Sequence, residues 1–311
     1  MRSITSNNFE EIIEFPDPQA KKRYERLIGL DEIKQRLQKE ARILLNPELL
    51  KKWSDQHHRG PITLIDKFRE RSPLFVFTGD VGAGKTELAE TFGDQIARYE
   101  NISVTLYRLS LGSRGTGAVG EMTRLISAAF AEVTELARGF SSKSGRHRSA
   151  VILLIDEADA IAQSRELGQM HHEDRAGVNA LIRGLSNFAT GNIPAIAVMC
   201  TNRLTAIDPA VLRRAADLFE FKRPDVNQRE VLLESALADA GFTSEQISAL
   251  AKATGPNGNG NYGYTYSDIA QRLLPQILLD AFPNKPITFE RALAIAKQLK
   301  PTTPFKDEVH S

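Results

Sequence analysis

The sequence predicts an α/β chain: a doubly wound, parallel, five-stranded sheet followed by a small domain of four helices. Three observations predict it. Short strand-like runs alternate with segments of helical periodicity, the pattern of parallel strands joined by crossover helices. Two of those runs, "AVILLID" and "IPAIAVMCT", are apolar almost throughout, as central parallel strands covered on both faces must be. Beyond Arg223–Pro224 the strands stop and only helical patterns follow.

In chain order, "DEIKQRLQKEARILL" sets Ile33, Leu37, Ala41 and Leu44 at helical spacing, with Asp31 as its N-cap. "HHRGP" breaks the chain ahead of a short apolar strand, "SPLFVFTG". "KTELAETFGDQIARYE", residues 85–100, reads as a helix, and "ISVTLYRL" alternates as a strand does. Met122, Leu125, Ile126, Ala129, Phe130, Val133 and Leu136 fall on one helical face. "SSKSGRHRS" is a basic, solvated loop leading to "AVILLID"; "IPAIAVMCT" and "DLFEF" complete the strands. "VNQREVLLESALADA", "SEQISALAKA", "SDIAQRLLPQILLDA" and "TFERALAIAKQL" are the four helices, with "GPNGNGNYG" a flexible connection among them. The expected organisation is a lead segment, 1–26, a large domain, 27–223, and a small helical domain, 224–311.

Forty basic residues against thirty-nine acidic ones leave a net charge of +1, which supplies no bulk grip on nucleic acid or anionic lipid. Cys200 is the single cysteine, so no internal disulfide is possible and a reducing compartment is the natural setting. "MRSITSNNFEEIIEF" lacks the basic start and apolar stretch of a signal peptide, and no run approaches the ~18 apolar residues that cross a bilayer. A cytoplasmic protein with neither membrane nor nucleic acid as partner is expected.

"GDVGAGKT", Gly79 to Thr86, is a G-x-x-x-x-G-K-[ST] loop between a strand and a helix. Gly79, Asp80, Val81, Gly82, Ala83 and Gly84 form a turn whose backbone N–H groups converge on phosphate oxygens, beside the positive end of the following helix. Lys85 would reach the β- and γ-phosphates and Thr86 would ligand Mg²⁺, so ATP and Mg²⁺ are the expected ligands. "VILLIDEAD" ends a strand in two carboxylates: Asp156 to hold Mg²⁺, directly or through water, and Glu157 to orient or deprotonate the attacking water.

With "IGLDEIKQRLQKEARILLNPELL", "CTN" and "AIDPAVLRRAADLFEFKRPD", these motifs follow one another as in an AAA+ ATPase, and the resemblance runs from about residue 27 to 300. It implies that Ile28 and Gly29 border the adenine. Asn202 would be the polar sensor near the γ-phosphate, and Arg213 or Arg214 the finger offered to a neighbouring subunit's ATP. A guanidinium suits that last task through its permanent charge and planar donors. The helical domain would be the family's lid; Ile269 lies near the place where many branches keep a second sensor arginine. "RRAAD", the compact lid and "RLLPQ" resemble the pachytene-checkpoint ATPases, which remodel HORMA-domain proteins and have short bacterial relatives in anti-phage cyclic-nucleotide signalling operons. Only about 25 residues precede "LIGLDE", leaving no room for the substrate-binding domain of the eukaryotic members.

"GTGAVG", 115–120, matches a dinucleotide fingerprint, but that fingerprint needs an acidic residue about 20 positions on, and the next strand ends only at Asp156. The resemblance instead implies a substrate channel loop, with Arg114, Gly115, Thr116, Gly117 and Val119 in place of the usual aromatic. "MHHEDR" reads as a loop facing that channel, because adjacent histidines on a helix point about 100° apart and no partner sits at metal-ligand spacing. The function expected is that of an ATP-driven ring, a homo-hexamer, which partly unfolds a protein substrate, a HORMA-domain protein, and so switches off a defence signalling complex. A regulatory ATPase feeding a separate protease and a nucleic-acid loader are the alternatives.

Overall fold

The computed structural model describes residues 8–109, 120–140, 147–160, 172–190, 193–256 and 262–304. They fall into two compact units. One is drawn from Met1–Glu25, Glu32–Thr78 and Thr86–Glu220, the other from Arg26–Asp31, Gly79–Lys85 and Phe221–Ser311.

The first unit is built on six strands: β1 (Glu11–Phe15), β2 (Leu74–Gly79), β3 (Ser103–Leu109), β4 (Ser149–Ile155), β5 (Ala195–Thr201) and β6 (Asp217–Phe221), in the order β1-β3-β4-β5-β2-β6. β3, β4, β5 and β2 pair in parallel, in the registers Leu109↔Ile155, Ile155↔Met199 and Thr78↔Thr201. The sheet therefore has one strand more than the five expected. The addition is "EIIEF", which runs antiparallel to β3 with Glu11 opposite Arg108 and Phe15 opposite Val104. Its two glutamates hide its strand character in the sequence. An edge strand needs only one buried face, and here Phe15 is buried while Ile12 stays exposed.

Around the sheet run α1 (Pro18–Glu25), α2 (Asp31–Leu45), α3 (Glu48–His58), α4 (Thr63–Arg69), α5 (Lys85–Glu100), α6 (Glu121–Phe140), α7 (His172–Thr190) and the short α8 (Pro209–Leu212). Alternate strand residues (Val76, Leu109, Leu153, Ala197) share one core with Ile126, Phe130 and Val133 of α6 and with Val178, Leu181 and Leu185 of α7. α6 and α7 approach so closely that a Cβ on Gly184 would lie 2.3 Å from the Phe130 ring. α5 covers the opposite face, where a Cβ on Gly93 would meet Phe15 at 2.6 Å and Ile152 at 3.0 Å. The loop expected at "MHHEDR" is corrected in part: α7 starts at His172.

The second unit holds α9 (Val226–Leu237), α10 (Ser244–Ala253), α11 (Leu274–Ala281), which continues a π-helical turn over Asp268–Leu273, and α12 (Phe289–Gln298). Asp225 and Thr243 close capping boxes with Gln228 and Gln246, satisfying the first free N–H groups of α9 and α10. Leu233, Leu250, Ile269, Leu273, Ile277 and Ala292 form its core. Two polar groups buried at that core find backbone carbonyls as partners. The Tyr264 hydroxyl lies 2.8 Å from the Ala296 carbonyl and 2.7 Å from that of Leu299, and burial pushes its pKa up to about 12. Arg229 donates to the carbonyls of Ala251 (2.9 Å) and Pro224 (2.5 Å). Among the described residues no helix is long and apolar enough to cross a membrane.

Candidate functional site

In the second unit the loop Gly79–Lys85 takes backbone conformations that only glycine adopts freely. Gly79, Gly82 and Gly84 have φ of 140°, 75° and 96°. A Cβ on Gly79 would lie 2.1 Å from the Phe221 carbonyl oxygen, and one on Gly82 would lie 2.6 Å from Ser267 Cβ. The Ser267 N–H donates to the Gly82 carbonyl at 3.2 Å, fixing the loop to the start of the π-helical segment. Ala83 is buried, Val81 exposed. Lys85, at 7% exposure, turns its ammonium onto the Gly79 and Asp80 carbonyls, both at 2.7 Å. An ammonium held on the loop's own carbonyls is in reach of any phosphate the loop takes up.

Two groups around this loop were not legible as site residues. Arg223 donates to Asp80 Oδ2 at 2.6 Å and to the carbonyls of Gly263 (2.7 Å) and Thr302 (2.8 Å). Gln228 donates to the Gly29 carbonyl at 3.2 Å and accepts from the Tyr266 hydroxyl at 3.0 Å. Gly29 (φ 72°), next to Ile28, is thereby tied to α9 and, through Gln228, to Tyr266, whose pKa burial pushes up to about 12. The one sequence cue was Gln228 at the third position of a capping box, whose side chain is usually read as serving its own helix.

In the first unit the C-terminal ends of β2, β5 and β4 lie side by side, where α/β sheets present ligand-binding groups. Thr86, in the first turn of α5, has its Oγ1 3.3 Å from Asp156 Oδ1, which brings together two oxygen donors of the kind Mg²⁺ prefers. Glu157 follows at φ 50°, a left-handed conformation unusual for a glutamate, and its side chain is exposed. Asn202 directly follows β5, half-buried. The preceding Thr201 accepts from the Arg203 N–H (3.0 Å) and donates to Asp159 Oδ1 (3.1 Å), bracing the ends of β5 and β4 together. Arg213 and Arg214 follow α8, and their described hydrogen bonds do not join this group. Arg213 is exposed, and its described hydrogen bond goes back to the Pro209 carbonyl (3.3 Å); Arg214 is half-buried on that of Ala210 (2.8 Å). Arg114, Gly115, Thr116, Gly117 and Val119 lie outside the described residues.

An ionic row that no motif announced completes this unit's end. Arg23 of α1 grips Glu87 with two hydrogen bonds (2.7 and 2.8 Å) and Glu90 with a third (2.5 Å). The bonds to Glu87 hold the Arg23 guanidinium above its ordinary pKa despite partial burial. Arg108 of β3 then joins Glu90 to Asp156.

A glycine-rich phosphate loop, a strand-end acid pair and a following polar residue define a P-loop ATPase. The model of the ATPase family associated with various cellular activities (AAA) matches residues 75–223. Over 299 residues the chain is 50% identical to CD-NTase-associated protein 6 of Escherichia coli strain MS 115-1, covering 96% of each. In structure it is similar to a chain of the HORMA:CdnC:Trip13 complex of E. coli MS115-1, with TM-score 0.91, 49% identity and coverage of 96% and 97%. It is also similar to Rhizobiales Trip13, with TM-score 0.76, 44% identity and coverage of 95% and 100%. The chain belongs to the AAA ATPases, in the family of CD-NTase-associated protein 6, the Trip13-like branch.

Proposed function

We propose that this ATPase works as a homo-hexameric ring that opens a HORMA-domain protein and so disassembles an activated defence signalling complex. The observation that carries the reading is the likeness, over nearly the whole chain, to a chain of the HORMA:CdnC:Trip13 complex of E. coli MS115-1. ATP binds with its phosphates on the loop Gly79–Gly84 and on Lys85, and its adenine beside Ile28 and Gly29. Thr86 and Asp156 are the residues that hold Mg²⁺, whose chemistry is to neutralise phosphate charge. Glu157 orients or deprotonates the attacking water, and Asn202 helps to place it. Arg213, the more exposed of its pair, serves the neighbouring subunit's ATP, with Arg214 supporting the turn. Residues 114–119 contact the substrate polypeptide, which is drawn through the ring and partly unfolded. The setting is cytoplasmic, in keeping with a lone, buried, reduced Cys200.

The test uses the HORMA and CdnC proteins of the E. coli MS115-1 complex, assembled with a closure peptide. Catalytic amounts of this chain with ATP should release CdnC and leave HORMA in its open form, read by size-exclusion chromatography. An intact complex after many ATP turnovers would overturn the reading.

A further inference from the structure

Asp156 is held from both sides. Its Oδ1 accepts from the Glu157 N–H at 3.0 Å and lies 3.3 Å from Thr86 Oγ1, while its Oδ2 accepts from Arg108 Nη2 at 3.1 Å. Arg108 does not depend on Asp156 for its own place, because its Nη1 donates to Glu90 Oε1 at 2.5 Å. Glu90 is 9% exposed, and its other oxygen is taken by Arg23. Arg23 is in turn fixed by Glu87, one residue after Thr86. The stretch carrying Arg23 is anchored twice more: β1 pairs along β3, and the Asp17 N–H donates at 2.7 Å to Asp94, which is fully buried.

A carboxylate at the end of a strand swings about its terminal torsion unless both oxygens are engaged. The Glu157 N–H engages Oδ1 alone, and Oδ2 on a planar, two-pronged guanidinium supplies the second point that keeps Oδ1 toward Thr86. A guanidinium beside a cation site would by charge alone weaken that site. Along the row Asp156, Arg108, Glu90, Arg23, Glu87, however, the charges alternate, so each arginine is neutralised by a carboxylate on its far side. Orientation then outweighs repulsion.

We propose that Arg108 is a positioning residue for Asp156 and that Arg23 completes its support. Through Arg23 the stretch 8–25 thereby braces the metal site. The inference rests on the reading of Thr86 and Asp156 as the Mg²⁺ ligands.

The test is Mn²⁺ binding by electron paramagnetic resonance, in the presence of a non-hydrolysable ATP analogue. The double variant Arg108→Gln/Glu90→Gln removes the bridge while keeping net charge constant, and Arg23→Gln removes only the outer support. Loss of a residue that orients a metal ligand lowers metal affinity by about 10- to 100-fold. The double variant should fall in that range and Arg23→Gln should shift less, in the same direction. Nucleotide affinity in EDTA should stay at the wild-type value in both, which loss of fold would not permit. A folded double variant with wild-type Mn²⁺ affinity overturns the proposal. If the double variant does not fold, wild-type Mn²⁺ affinity in Arg23→Gln overturns it. Absence of nucleotide-dependent Mn²⁺ binding in the wild type would instead overturn the assignment of Thr86 and Asp156.

Discussion

Gly82→Ala tests whether the phosphate loop works in the conformation described. At φ 75° a non-glycine residue costs about 1–2 kcal/mol. The added Cβ would stand 2.6 Å from Ser267 Cβ and 2.9 Å from Thr265 Oγ1, against the ~3.5–4.0 Å that carbon atoms prefer. The loop must therefore shift, giving up the Ser267 N–H to Gly82 carbonyl bond at 3.2 Å, worth about 0.5–1.5 kcal/mol. ATP needs the loop returned to its original form, so the penalty, about 2–4 kcal/mol with the clash included, appears in binding. Titration with a fluorescent ATP analogue should show Kd raised about 30- to 700-fold. Gly84→Ala, at φ 96° but with its nearest neighbours at 3.5 Å, carries the torsional cost alone and should lose only about 5- to 30-fold. Ser267→Gly placed on Gly82→Ala should recover part of the loss by removing the nearer clash. Wild-type ATP affinity in Gly82→Ala would refute the conformation, and equal losses at the two glycines would refute the packing argument.

Arg223→Ala strips Asp80, a quarter exposed, of its partner and leaves the Gly263 and Thr302 carbonyls without that donor. A loss of about 2 kcal/mol in urea unfolding is expected, with a raised KM for ATP; unchanged stability would count against the link. Asp268, 1% exposed, would be raised in pKa by burial. Hydrogen bonds from Thr265, Thr302 and Arg272 outweigh that and hold it below the usual carboxylate range. Its contribution is therefore complete above the unfolded pKa of ~3.9 and is lost as pH falls through the lower folded value. The melting-temperature gap between wild type and Asp268→Asn should thus be wide at neutral pH and close below about pH 4; a constant gap would contradict the sign. Mixing wild-type subunits with Arg213→Ala/Arg214→Ala subunits should lower ATPase activity per wild-type subunit. Activity proportional to wild-type content alone would argue against fingers acting across subunits.

What could be read from the sequence was what is local. The loop "GDVGAGKT" and the strand end "LLIDEAD" carry their chemistry within eight or nine consecutive residues, and the strands on either side announce themselves by unbroken apolar runs. The sixth strand could not be read this way, because "EIIEF" becomes a strand only by pairing with β3, nearly a hundred residues on. α7 was missed for a related reason: its opening "HEDR" is fully polar, and its apolar face appears only from Val178 onward. The ionic row is the hardest case. Arg23 meets Glu87 across 64 positions and Arg108 meets Asp156 across 48, and no periodicity links them. The single cue was a cation inside an otherwise β-forming run, "SVTLYRL".

The central claim, that this chain spends ATP on a HORMA-domain protein, is met most directly by Glu157→Gln, which should bind ATP without hydrolysing it. Mixed with the HORMA protein of the E. coli MS115-1 complex, it should co-elute with that protein as a ring-sized species when ATP is present and not when ATP is left out. Separate elution in both cases, or co-elution with DNA in place of the HORMA protein, would contradict the account.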